Sequence, residues 1–346
     1  MLTDHRGTVD QGAGRAMANE ARVNDTKAAA APAADSTVSN AVVAEGGGQR
    51  GIYTAGVLDA WGGEGINPFD LGIGVSAGAQ NLLAYFLERP GYARQAIERL
   101  TAAKGFFVPY RYLTRGNVVD LDSYFERTLS DPDYRLDYPR LSDLTGRRRL
   151  MFVATCRDSL QPHYLEPTVD TVVDCLKASS AVPLLYRSGV SMRGRCLIDG
   201  GVADPLPVAR AVREGARRVL VIRTGGENGS SRGVRRTLQR IRRLRALPAS
   251  LDRLMACIDQ ASRQAEAFVA DPPDGVELVQ ITPSRALRSQ VFGSRSDALA
   301  HDYATGLADG LAHVATLRDW SGSSGRGAPA ISTCPAGSPI SARAVH

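Results

Sequence analysis

Along residues 41–320, short apolar runs alternate with longer stretches in which apolar residues recur at helical spacing. Apolar runs of about 4–8 residues read as strands, and a period of about 3.6 reads as helix. The strand candidates are AVVAE at 41–45, FDLGIGV at 69–75, LMFVATC at 150–156, RCLID at 195–199, RVLVIRT at 218–224 and VELVQIT at 276–282. Helical patterns fall between or after them, at 53–61, 77–89, 93–100, 169–180, 207–215 and, at greatest length, 297–317. This alternation predicts an α/β fold of three layers, a mostly parallel central sheet with helices on both faces. Residues 1–40 and 321–346 show no such period and are rich in small and polar residues. They are expected to be a disordered leader and tail around one domain at 41–320. Between 101 and 147 the pattern turns irregular and aromatic, which reads as a cap or insertion beside the core.

Composition narrows this picture modestly. The 346 residues are 43% hydrophobic and carry a net charge of +6, from 42 basic and 36 acidic side chains. That excess is compatible with an anionic partner without requiring one. The five cysteines, Cys156, Cys175, Cys196, Cys257 and Cys334, are widely spaced and form no CxxC pair. Neither a disulfide framework nor a metal cluster is expected from them. The first residues, MLTDHRGTVDQGAG, lack the apolar core of a signal peptide, and no apolar run reaches about 18 residues. A soluble cytoplasmic protein without cofactor is the expectation.

Three stretches carry candidate chemistry. The first is GVSAG at 74–78, between a strand and a helix. A nucleophilic serine at a sharp strand-to-helix turn needs glycine at Gly74 and Gly78, where side chains would collide. Ser76 then stands at a helix N-terminus that favours developing negative charge. The other reading is a plain turn. The second stretch is EGGGQRG at 45–51, after the first strand. Successive backbone N–H groups at Gly46, Gly47 and Gly48 can form a nest for a phosphate or an oxyanion, with Arg50 adding positive charge. A dinucleotide loop or a tight turn fits the same glycines. The acidic partner that a dinucleotide site wants about 20 residues on would fall near Asp70, at the start of the elbow strand. The third stretch is IDGG at 198–201. Asp199 ends a strand on a glycine turn, and in open α/β sheets the crevice lies at the carboxyl ends of the strands. It can serve as a base if it comes within about 2.6–3.2 Å of the serine oxygen; otherwise it is an ordinary turn aspartate.

These three stretches, in this order, resemble the patatin-like phospholipase family, with KASSAVP at 177–183 similar to a fourth family segment. The resemblance covers about residues 41–225, more loosely to 320. It implies a modified α/β-hydrolase fold with a Ser-Asp dyad, Ser76 as nucleophile and Asp199 as its activator. It also implies an oxyanion hole from the N–H groups of the 46–48 loop, with Arg50 nearby. His163, His301 and His313 are then not needed, although a Ser-acid-His order through His301 stays open.

The implied substrate is a fatty-acyl ester or phospholipid. Phe106, Phe107, Tyr110, Tyr112 and Leu113 are candidates for an acyl groove, or for plain core packing. Residues 232–247, RGVRRTLQRIRRLRAL, hold seven arginines around an apolar stripe. This is a candidate contact with anionic membrane, or an ordinary surface helix. No nucleic-acid reading element accompanies it. Two readings of other classes remain, a noncatalytic lipid-binding protein on the same fold and a nucleotide-binding enzyme built on GGGQRG.

Overall fold

A computed structural model describes residues 38–114, 116–144, 148–225 and 250–322. The expected leader and tail fall almost wholly outside the described residues, and the arginine-rich 232–247 falls entirely outside them. The chain begins with β1 (Asn40–Ala44), α1 (Gly51–Gly63), β2 (Leu71–Val75), α2 (Ala77–Phe86) and the short α3 (Tyr92–Gln95). It continues through α4 (Leu121–Ser130), α5 (Leu141–Leu144), β3 (Arg149–Cys156), β4 (Pro162–Leu165) and α6 (Val172–Ser180). Then come β5 (Val190–Met192), β6 (Arg195–Asp199), α7 (Val208–Arg213) and β7 (Arg218–Ile222). The last elements are α8 (Ser250–Ala270), β8 (Glu277–Ile281), α9 (Ser296–Ala312) and α10 (Val314–Gly322).

The strands form one eight-stranded sheet in the order β5-β6-β3-β2-β1-β7-β8, with β4 also paired to β3. The pairings β1–β2, β1–β7, β2–β3 and β7–β8 are parallel, so the sheet is mostly parallel, as the alternating pattern predicts. The antiparallel pairs gather at the other end, where β4 and β6 join β3 and β5 joins β6. Successive strand residues face opposite sides. Val42, Ala44, Phe152, Ala154, Leu220 and Ile222 pack into the core shared with α1 and α2. Ala41, Val43, Met151, Val153, Val219 and Val221 pack against α7 and the end of α8. The result is a three-layer α/β/α arrangement.

Register decides where the strand ends meet. Val153 of β3 lies opposite both Val75 of β2 and Tyr164 of β4, and Ala154 lies opposite both Asp199 of β6 and His163 of β4. A strand has only two hydrogen-bonding edges. With β4 on one edge, β2 and β6 must share the other, end to end. Because β2 runs parallel to β3 and β6 antiparallel to it, their C-terminal ends converge on neighbouring residues of β3.

Several elements differ from the pattern reading. The terminal helix breaks in two at His313, whose Nδ1 engages the Asp309 carbonyl at 2.8 Å. The long α8 and the short β4 and β5 have no counterpart in the pattern reading. The 101–147 stretch, expected as a cap or insertion beside the core, packs against it through Val119, Leu121, Tyr124, Phe125, Tyr134 and Tyr138. Among the described residues, no helix is long and apolar enough to cross a membrane.

The helices α1 and α9 approach closely because glycines face each other. A Cβ on Gly56 would overlap the Tyr303 carbonyl oxygen, and one on Gly306 would overlap that of Tyr53. Three side-chain bonds seal the contact: Tyr53 Oη to Asp309 at 2.9 Å, Tyr303 Oη to Asp59 at 2.8 Å and Trp61 Nε1 to the Gly310 carbonyl at 2.9 Å. Gly306→Val is expected to lower unfolding free energy by about 3 kcal/mol, because overpacking a tight contact forces the backbones apart. Denaturant titration measures this, and an unchanged midpoint would contradict the packing account.

Candidate active site

The turn after β2 places Ser76 in a conformation unusual for a residue with a side chain, φ 52° and ψ −122°. Such a conformation costs about 1–3 kcal/mol and persists only where neighbours over-determine it. Here they do. The Ser76 N–H donates to Ser179 Oγ at 2.9 Å, and its carbonyl accepts from the N–H groups of Ala79 (3.0 Å) and Gln80 (3.3 Å). The flanking glycines are steric requirements. A Cβ on Gly74 would overlap the backbone of Ala79, and one on Gly78 would overlap the Ala44 carbonyl.

Asp199 arrives from β6 and is 2% exposed. Its backbone N–H donates to the Ala181 carbonyl at 3.0 Å, and its carbonyl accepts from Thr155 Oγ1 at 2.9 Å. The C-terminal end of α6 therefore grips both residues, Ser76 through Ser179 and Asp199 through Ala181, the residue after the helix. One carboxylate oxygen, Oδ1, accepts from the Gly201 N–H at 2.8 Å. The other, Oδ2, is buried without a hydrogen bond of ordinary geometry, while the Ser76 hydroxyl lies near enough to act on the carboxyl. Burial pushes the Asp199 pKa up to about 6, against the lowering effects of the Gly201 N–H and Ser76. A second acid, the half-buried Asp204, is also raised to about 6 by desolvation, but it is bonded to Tyr164 Oη at 2.6 Å and does not line the cavity.

The glycine loop closes the third side. Gly46 comes so near the elbow that a Cβ on it would sit 3.1 Å from the Val75 carbonyl and 3.3 Å from Ser76 Cβ. Gly48 has a φ of 58°, a left-handed conformation that suits glycine. The loop is fastened to the end of β7. Glu45, buried, accepts from the N–H groups of Thr224 (2.7 Å) and Gly225 (3.1 Å), and Thr224 Oγ1 donates to the Gly46 carbonyl. Arg50 does not line the cavity; its guanidinium donates to the Thr224 carbonyl. Asp70, near where a dinucleotide site would want its acid, instead accepts from the N–H groups of Ser39 (2.9 Å) and Asn40 (3.1 Å).

Ser76, Asp199 and Gly46, Gly47 and Gly48 thus line one cavity of about 1070 Å³, its open mouth included. Its walls are mostly apolar, with Tyr92, Ile97, Phe106, Val119, Leu121 and Phe292 among the lining residues. Of the acyl-groove candidates only Phe106 is in this lining. Phe107 stacks on Phe292, Tyr112 lies under the Arg187 guanidinium, and Tyr110 and Leu113 are 70% and 66% exposed. The three histidines are elsewhere. His301 Nδ1 is 2.9 Å from Asp302, His313 caps α9, and His163 lies beside Arg195, where burial and that guanidinium hold its pKa down. Sequence reasoning did not single out Gln80, which bonds Ser180 Oγ at 3.2 Å and accepts from Tyr124 Oη at 2.6 Å inside the cavity. It also missed Val291 and Phe292, for which no local signal exists. Among the described residues, no group of three His, Cys, Asp or Glu side chains is gathered to hold a metal ion.

Comparison with known proteins follows the same lines. The profile of the patatin-like phospholipase family matches residues 42–212, and that of a domain of unknown function, DUF6363, matches 253–322. The uncharacterized protein YjjU of Escherichia coli (strain K12) is 39% identical over 283 residues, covering 80% of this chain and 77% of YjjU. The crystal structure of VipD from Legionella pneumophila aligns with a TM-score of 0.41 and 15% identity, over 81% of this chain and 67% of that one, a likeness too weak to carry an argument.

Asp199 also has a stability signature. A folded pKa near 6, above the 3.8 of a free carboxyl, means that the folded state binds more protons than the unfolded one in between. Its stabilising contribution is complete below the unfolded value and is lost as pH rises through about 6. Asp199→Asn should therefore be the more stable protein at pH 8, by about 1–3 kcal/mol, with the difference shrinking at low pH. Urea unfolding of both proteins across that range checks the sign; a variant less stable at pH 8 contradicts it.

Proposed function

The chain belongs to the patatin-like phospholipase family, and from that premise we propose that it is a serine acyl hydrolase of fatty-acyl esters, phospholipids among them. Ser76 is the nucleophile and Asp199 its base. The observation that carries this reading is the convergence of β2 and β6 on one edge of β3, with the elbow serine and a buried carboxyl lining the same cavity.

Asp199 takes the proton of the Ser76 hydroxyl as the oxygen attacks the ester carbonyl. Negative charge passes to the carbonyl oxygen. The first N–H groups of a helix have no partner within it. Gly47 and Gly48 stand at the start of the helical turn that leads into α1, so their N–H groups are the donors for this oxyanion. Gly46 supplies the close approach. Arg50 acts by holding the loop to Thr224 rather than by touching the substrate. As the tetrahedral intermediate collapses, the protonated Asp199 gives its proton to the departing alcohol. Water then attacks the acyl-serine with Asp199 again as base, releasing the fatty acid and restoring the hydroxyl. A carboxyl poised near pH 6 suits both directions of transfer. The apolar lining of the cavity suits an acyl chain better than a charged or sugar-bearing group.

Ser76→Ala and Asp199→Asn are each expected to lower kcat on a p-nitrophenyl ester and on phosphatidylcholine vesicles by about 10³-fold or more. In the native protein kcat/KM should rise as pH passes about 6 and then level off, because the base must be ionised. Native turnover in either variant would sink the dyad. Vesicle binding without any turnover by the native protein would favour a noncatalytic lipid-binding role instead.

A further inference from the structure

The loop between β8 and α9 lies outside the stretch matched by the patatin-like phospholipase profile and inside that matched by a domain of unknown function, yet it reaches the catalytic crevice. Its Val291 carbonyl accepts the Gln49 N–H at 3.0 Å, directly after the proposed oxyanion donors. The same carbonyl sits so close to Gly48 that a Cβ there would overlap it. Gln49 is 2% exposed and spans the gap, its Oε1 accepting from the Ser294 N–H at 2.7 Å and its Nε2 donating to Thr101 Oγ1 at 3.0 Å. Phe292 enters the cavity wall and stacks on Phe107, with ring centroids 5.0 Å apart and planes 3° from parallel.

The loop is itself pinned from α9. Asp302, fully buried, accepts from the N–H groups of Arg288 (3.0 Å) and Ser289 (2.7 Å), from Ser289 Oγ, and from His301 Nδ1. The helix that carries Asp302 is locked to α1 by facing glycines, and α1 begins where the glycine loop ends. The C-terminal stretch therefore grips the loop from in front and the helix behind it.

We propose that the C-terminal stretch 253–322 completes the acyl site: through Val291 and Gln49 it fixes the glycine loop, and through Phe292 it limits the acyl chain. This rests on the hydrolase reading above. Phe292 is a specificity residue that contacts the chain. Asp302 is a positioning residue, acting on the oxyanion donors only through the 288–294 loop.

The test uses the full chain with p-nitrophenyl esters from butyrate to palmitate, and counts active sites with a fluorophosphonate so that rates refer to folded enzyme. Phe292→Ala is expected to raise the ratio of kcat/KM for palmitate over butyrate by about fivefold, as an aromatic ring is removed from the wall. Asp302→Asn is expected to lower kcat per titrated site about tenfold on every ester with KM nearly unchanged, the mark of an oxyanion donor moved off its place. A merely structural Asp302 would reduce the number of titrated sites and leave kcat per site native. An unchanged chain-length ratio in Phe292→Ala together with native kcat per site in Asp302→Asn overturns the inference alone. A native protein that neither hydrolyses esters nor takes up the fluorophosphonate overturns the hydrolase reading and this inference with it.

Discussion

Along one edge of β3, Val153 pairs with Val75 and the next residue, Ala154, pairs with Asp199. Two strands running toward each other stop there, and everything proposed for the site follows from that meeting. The elbow must turn sharply because β6 occupies the space ahead of β2. Gly200 must be a glycine because a Cβ on it would overlap the Val153 carbonyl. The serine and the carboxylate then lie at the carboxyl ends of their strands, where an α/β sheet opens its crevice.

Holding such a pair is unfavourable locally, and the surrounding structure compensates. Ser76 sits in a disfavoured conformation, and Asp199 is buried with one oxygen lacking a well-formed hydrogen bond. The C-terminal end of α6 offsets both, through Ser179 on one residue and Ala181 on the other. The glycine loop is similarly held from two sides, by Thr224 and Gly225 just after β7, which bond Glu45 and Gly46, and by Val291 from the far C-terminal loop. A site anchored from three separated parts of the sequence tolerates little loss of any one anchor, since buried polar groups left unpaired are costly.

The parts legible in the sequence are those governed by local rules. GVSAG, GGGQRG and IDGG each announce a turn whose geometry needs glycine, and the strands before them show apolar runs. Ser76, Asp199 and the loop glycines could be named on that basis, and the structure places them around one cavity. What local rules do not encode is which strand edges are shared. Nothing in Val153 or Ala154 indicates that two strands end opposite them. Nor does anything in QVFGS at 290–294 mark it as a neighbour of Gly48, because that contact spans the whole domain. The helix α8 is a different case. Leu251, Leu254, Met255 and Ile258 do recur at helical spacing, but small and polar residues dilute the stripe, which covers a local cluster around Val202. Tyr110 and Leu113 read as groove residues by type alone and turn outward, since apolar side chains are not confined to interiors.

The central claim is that Ser76 and Asp199 act as one chemical unit. The direct measurement is to react the intact native protein with a fluorophosphonate, digest it and map the adduct by mass spectrometry, alongside Asp199→Asn. The account predicts the adduct on Ser76 in the native protein, and formation at least about a hundredfold slower in the variant, as expected when a nucleophile loses its base. An adduct on another residue, or equal labelling rates at Ser76 in the two proteins, would contradict it.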